Sequence, residues 1–199
     1  LKAAETLVAK GHAYYCYCSG ERLQGERERA EASGEAWKYD RECLALSAEA
    51  IAAHEAAGHP RAIRFIVREG RTSFDDLVHG RIEVDNATIE DFVILRSDRY
   101  PTYHLSVVMD DVDMKITDVI RGDDWLPSLP RHVLLFRAFG WEPPRYAHLP
   151  LLLNTQRKKL GKRDGDVSAE SFLAWCLPEA LVNFIALLGW NVSGDQEIY

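Results

Sequence analysis

Ile116-Thr117-Asp118-Val119-Ile120-Arg121 reads as a β-strand: a short, β-branched run in which charge falls at positions 118 and 121. Residues 129–139 follow with helical character and stop at Gly140, and residues 147–153 form a second apolar strand candidate. Strand, helix, strand at this spacing predicts a parallel α/β sheet. Ligands of such sheets sit beyond the carboxyl ends of the strands, which directs attention to Arg121 and to the loop after Leu153. That loop holds Arg157-Lys158-Lys159-Leu160-Gly161-Lys162-Arg163, five cations in seven residues. In a chain of formal net charge -7 this is a local positive field, open to two readings, a solvated basic loop or an anion clamp closing on a polyphosphate.

Upstream, Ser97-Asp98-Arg99-Tyr100-Pro101 is a turn and a candidate domain boundary, because proline fixes its own φ and biases Tyr100 to extended backbone. Before it, residues 62–67, 81–84 and 91–95 alternate β-branched with polar residues, which predicts one half-exposed antiparallel sheet. Ser47 caps an alanine-rich helix over 48–57, and Ser19 caps a charged helical segment to about residue 32. The run 13–17 is a strand candidate, and the opening residues read as a helix ending at Gly11, as if the chain began inside a domain. Between the boundary turn and the first quoted strand lies an apolar segment, 102–109. Downstream, 168–188 holds two helical stretches broken at Pro178, with Leu177, Leu181, Phe184, Ile185 and Leu188 as a stripe expected to be core.

With 199 residues, 47% of them hydrophobic, the chain has enough apolar material for one or two packed units. No apolar run reaches the roughly 20 residues of a membrane span. Four cysteines, three of them clustered, are too few for a secreted disulfide scaffold, so a reducing, cytoplasmic setting is expected. Acidity argues against indiscriminate nucleic-acid binding but leaves room for RNA held by a local patch.

The lysine loop lacks the order of a P-loop. The whole constellation is more specific: Pro101-Thr102-Tyr103-His104, Asp110-Asp111, Val119-Ile120-Arg121-Gly122-Asp123-Asp124-Trp125, His148-Leu149-Pro150-Leu151-Leu152 and Lys159-Leu160-Gly161-Lys162-Arg163. In order and spacing these motifs resemble the bacterial-type glutamyl-tRNA synthetases of aminoacyl-tRNA synthetase class I, from about residue 5 to the end. The resemblance implies an α/β fold: the second half of a Rossmann-like nucleotide-binding domain (99–155), an α+β acceptor-binding insertion (1–98), and a signature lysine loop with the start of a helical stem-contact region (156–199). It implies ATP-dependent ligation of L-glutamate to tRNA(Glu) through a glutamyl-adenylate, with Mg2+ on the phosphates, by a monomer. Lys162 and Lys159 would be catalytic. Lys162 would also bind ATP with Leu152 and Leu160, two leucines that would otherwise read as core. Tyr103, Arg121 and Trp125 would bind glutamate, Asp124 would stand on the edge of that pocket, and His104, Asp110 and Asp111 would be structural.

Gly161 stands where the family usually has serine, which frees the loop backbone. Cys16, Cys18, Tyr39 and Cys43 resemble the zinc site of some family members, although Ala45 stands where some relatives carry a histidine ligand. Zn2+ or three buried reduced cysteines are the two readings. The family's first signature would lie upstream of Leu1, so this stretch alone is expected not to activate glutamate. Two rivals share parts of the pattern: a synthetase that attaches glutamate to queuosine in tRNA(Asp), and a non-catalytic tRNA-binding fragment.

Overall fold

Helix α1 (Lys2–Ala9) buries Ala4 and Leu7 and ends as Gly11 takes φ 70°, turning the chain into strand β1 (Ala13–Cys16). A computed structural model describes residues 1–35, 37–154, 156–161, 168–189 and 198. Helix α2 (Gly20–Ser33) starts where Ser19 accepts from the Arg22 amide and stops at Gly34, in the left-handed region at φ 72°. It buries none of its residues. Helix α3 (Ala48–Ala56) starts the same way, with Ser47 accepting from the Ala50 amide. Strands β2 (Ala62–Phe65), β3 (Arg71–Asp76), β4 (Gly80–Asp85) and β5 (Val93–Leu95) follow. The chain then runs through α4 (Tyr103–Asp113), β6 (Asp118–Gly122), α5 (Leu129–Phe139), β7 (Arg145–Leu149), α6 (Ala169–Phe172) and α7 (Pro178–Leu187).

Two sheets result. The first is β1-β2-β5, antiparallel throughout, and the second is β4-β3-β7-β6, in which β3 pairs antiparallel with β4 and parallel with β7. The segments read from sequence as one antiparallel sheet therefore lie in different sheets, with 81–84 in the second. The missing piece was β3: its buried set is Thr72, Phe74 and Asp76, so only one of the three inward residues of Arg71–Asp76 is apolar. Residues 102–109 are helical because Leu105 and Val108, three apart, both enter the core. The last strand stops at Leu149, since Pro150 has no amide to continue a ladder. Leu152 and Leu153 are exposed.

The chain divides into two compact units, Leu1–Val119 with Ser128–Tyr146, and Ile120–Pro127 with Ala147–Tyr199. The first has a core of Leu7, Ile63, Phe65, Ile94, Leu95, Leu105, Val108, Leu135 and Phe136, each contributing about 1.5–3 kcal/mol through burial. Beside it lies Asp91, 2% exposed, whose carboxylate accepts from Tyr14 Oη (3.0 Å), Arg41 Nη2 (2.8 Å) and the Val67 amide (2.9 Å). In the second unit the stripe expected to be core is not covered by described residues. Leu177, Phe184, Ile185 and Leu188 are exposed, and the last three line an apolar cavity of about 440 Å³ with Leu151, Leu152 and Leu160.

Candidate functional site

Cys16 and Cys18 sit at and just past the end of β1, where alternation would point their side chains to one side, and a short 3-10 turn (Glu42–Ala45) brings Cys43 to them. The three sulfurs lie within 4.8 Å of one another, with Cys18 and Cys43 at 3.4 Å. Tyr39 Oη stands 3.6 Å from Cys16 Sγ and 3.3 Å from Cys18 Sγ. All four residues named from sequence are thus together. A tetrahedral ion with bonds of about 2.3 Å to sulfur has ligand–ligand edges of about 3.8 Å, so the set fits one such ion with little movement.

Charge agrees with that fit. Three thiolates and a phenolate around a divalent ion would carry two net negative charges. Two guanidinium groups face the sulfurs, Arg22 Nη1 at 3.3 Å from Cys18 and Arg64 Nε at 3.3 Å from Cys16. Burial pushes the Cys16 thiol up, but hydrogen bonds from Arg64 and Tyr39 outweigh it and hold Cys16 below the ordinary cysteine value. Burial, with Cys43 and Cys16 as neighbours, pushes Cys18 up to about 11 against the pull of Tyr39. Burial and bonds to the sulfurs likewise drive the Tyr39 phenol well above its usual range. Without a cation, the cluster resists charging all its members, and a bound divalent ion would reverse that. An open cavity of about 600 Å³, lined by Cys16, Cys18, Cys43, His54 and His59, gives access.

Tyr103, the first residue of α4, is 47% exposed, and its ring meets His104 and His132 edge-on, each at 5.9 Å. His104 Nδ1 and His132 Nε2 are 3.0 Å apart. Burial, then the charge of Arg131, lowers the His104 pKa. The two histidine rings share this hydrogen bond, with donor and acceptor set by their tautomers. Tyr103 belongs to the first unit, whereas Arg121 and Trp125 belong to the second.

Strand β6 delivers Arg121 next to its carboxyl end, where its Cζ lies 5.7 Å from the centre of the Trp125 ring and its Nε donates to His148 Nε2 at 3.1 Å. His148 is completely buried on β7. Arg121 Nη2 is buried and has no hydrogen-bond partner among the described residues. A buried guanidinium N–H left unmatched is costly, which makes it a natural seat for an incoming carboxylate. Gly122 comes next for a packing reason: a Cβ there would lie 2.7 Å from Asp124 Oδ1 and 3.0 Å from Leu151 Cδ2.

The start of the basic loop is a tight hairpin, with Leu153 bridged antiparallel to Lys159 and the Leu160 amide donating to the Leu152 carbonyl at 2.8 Å. Leu152 and Leu160, paired in sequence only by expectation, are adjacent here. Lys159 Nζ forms an ion pair with Asp124, which lowers the Asp124 pKa first by that hydrogen bond. Lys162, expected from sequence to be catalytic and to bind ATP, lies outside the described residues. Sequence reasoning missed Arg22 and Arg64 as partners of the sulfurs and His148 as partner of Arg121. A histidine inside a run that otherwise reads as buried strand, Tyr146-Ala147-His148-Leu149, was the available signal for the last.

A mixed β-sheet with a parallel strand pair, a cation presented near a strand end and a basic hairpin beyond the next strand define a nucleotide-binding-type α/β catalytic unit. The chain belongs to the family described as tRNA synthetases class I (E and Q), catalytic domain, which matches residues 1–199. Glutamate--tRNA ligase of Alkaliphilus metalliredigens (strain QYMF) is 48% identical over 195 residues, covering 97% of this chain and 40% of that protein. The ligase of Clostridioides difficile (strain 630) gives the same figures, 48% over 195 residues, 97% and 40%. The crystal structure of glutamate-tRNA synthetase from Elizabethkingia anophelis superposes with a TM-score of 0.86 at 32% identity, covering 100% of this chain and 46% of that one. A glutamate tRNA ligase from Elizabethkingia meningosepticum CCUG26117, solved in complex with its amino acid, gives 0.86 at 33%, covering 100% and 45%. The chain therefore spans less than half the length of these relatives.

Proposed function

We propose that the polypeptide carrying this chain ligates L-glutamate to tRNA(Glu), using ATP and passing through a glutamyl-adenylate. The observation that carries the reading is Arg121, a cation near a strand end whose buried Nη2 has no partner among the described residues. Glutamate offers a side-chain carboxylate of matching charge and shape. Tyr103 and Trp125 complete the amino-acid contacts in this reading. Leu152 and Leu160 hold the adenine edge of ATP, and Lys162 with Lys159 neutralises charge on the phosphates as the glutamate α-carboxylate attacks the α-phosphorus and pyrophosphate departs. Lys159 would exchange its ion pair with Asp124 for phosphate when ATP arrives. Mg2+, accompanying ATP, shields the phosphate oxygens.

In the same reading, residues 1–98 form the acceptor-binding insertion against which the tRNA end lies, 99–155 the second half of the nucleotide fold, and 156–199 the lysine loop and the start of the stem-contact region. Cys16, Cys18, Tyr39 and Cys43 hold one structural Zn2+, with Arg22 and Arg64 balancing its anionic shell. The enzyme works as a cytoplasmic monomer. No described helix is long and apolar enough to cross a membrane. The names borne by the relatives support tRNA(Glu) over the queuosine of tRNA(Asp), although the cysteine–tyrosine set suits either enzyme.

The test is glutamate-dependent ATP–pyrophosphate exchange by the full-length enzyme, with charging of tRNA(Glu) and tRNA(Asp) compared. Exchange and tRNA(Glu) charging are expected, with Lys162→Ala lowering kcat by roughly 100-fold or more. A full-length protein that binds tRNA(Glu) without any exchange activity would establish the non-catalytic reading instead.

A further inference from the structure

Arginine has no acceptor, so the 3.1 Å contact between Arg121 Nε and His148 Nε2 fixes the state of the histidine. Nε2 must present its lone pair, which leaves Nδ1 to carry the ring's N–H. The ring is fully buried on β7, so it cannot swing away to release the guanidinium. With Nε tied to one side and the Trp125 face 5.7 Å away, Arg121 loses the rotamer freedom that a half-exposed arginine usually keeps. The consequence is directional. A guanidinium is a rigid plane, so anchoring Nε leaves the orientation of Nη2 decided before any ligand enters.

We propose that His148 is a positioning residue that sets the preference of the site for a carboxylate, by holding Arg121 so that Nη2 faces the side-chain carboxylate of the amino acid. This rests on the reading of Arg121 as the glutamate contact. An unanchored arginine can turn toward an amide oxygen as readily as toward a carboxylate, losing the geometric part of the discrimination. Removing the anchor should therefore weaken glutamate binding and, more tellingly, reduce the choice between glutamate and glutamine. A merely structural role would move neither ratio.

The experiment is pyrophosphate exchange by the full-length enzyme with glutamate and with glutamine, for Arg121→Ala, His148→Leu and His148→Gln, with each variant's thermal melt recorded. For His148→Leu the expected result is a KM for glutamate raised about tenfold or more, a KM for ATP within about twofold of native, and a glutamate-to-glutamine kcat/KM ratio reduced about tenfold. His148→Gln, which keeps an acceptor, should recover most of both. Should His148→Leu not fold, His148→Asn supplies the same ratio, its amide being too short to reach Nε. A native ratio in a folded His148→Leu or His148→Asn, alongside a large loss in Arg121→Ala, overturns the positioning role and leaves the glutamate contact standing. An unchanged glutamate KM in Arg121→Ala overturns the contact itself, and this proposal with it.

Discussion

The thiol cluster and the Arg121 site both hold buried guanidinium groups, yet they use them in opposite ways. Around the sulfurs, Arg64 has no unmatched buried nitrogen: Nε donates to Cys16, Nη1 to the Asp91 carbonyl, and its plane lies over the Tyr39 ring at 3.9 Å. Arg121 is held at Nε and over Trp125, but Nη2 is left without a described partner. The first arginine completes the protein and the second leaves it incomplete. The difference teaches where to look for a substrate, since buried polar groups in native structures are almost always matched and an unmatched cation at a strand end has room for an anionic partner. A cluster rich in perturbed pKa values, as around Cys16, is by itself the weaker pointer to catalysis.

That contrast can be broken most decisively through Asp91, which ties Tyr14, Arg41 and Val67 together behind the sulfurs. Asp91→Ala should lower stability by about 3 kcal/mol, since it strands several donors at once, with Arg41 partly solvated and so recovering some of the loss. Urea unfolding followed by tryptophan fluorescence measures it, and a change below about 1 kcal/mol would mean the first site is not closed as described. Arg121→Met should show a smaller loss: glutamate use is lost while stability in the absence of ligand falls by only about 1–2 kcal/mol, because the substitution removes an unmatched donor even as it strands His148 Nε2. A large destabilisation in the same unfolding experiment would show that Arg121 serves the fold.

The smallest expected effect sharpens the comparison through His104, whose ring lies against Tyr103 and His132. His104 has a pKa lowered first by burial and then by Arg131. Near and below the unfolded value of about 6.5 the unfolded chain binds the proton more readily, so stability is full above that pH and falls as pH drops toward the lowered folded value. His104→Gln should flatten this part of the stability–pH curve. An unchanged slope between pH 5 and 7 would remove His104 as its source.

Local chemistry was the legible part of the fold. The serine caps before α2 and α3, the glycine stops at positions 11 and 140, and the helix 129–139 were all readable because each depends on a few neighbouring residues. What could not be read was pairing between distant strands. Strand β3 hides because its inward face carries Thr72 and Asp76, and without it β4 has no visible partner. The stripe on α7 shows the converse limit: a regular apolar period says that a face wants covering, but not which atoms cover it. Among the site residues, Cys16, Cys18, Tyr39 and Cys43 were legible as a set through their resemblance to the zinc site of some family members. The partners Arg22, Arg64 and His148 were not, since one arginine or histidine among many announces nothing until the fold brings it to its contact.

Asp91 bears on more than the melting curve. By fixing Tyr14 on β1 and Arg41 just ahead of the Cys43 turn, it ties the cysteine-bearing segments together through contacts of the protein itself. A metal held there would be a rivet through plates that Asp91 also joins: its uptake would release protons, and chelators would slacken the stretch around Tyr39 and Cys43 while leaving the three-stranded sheet standing.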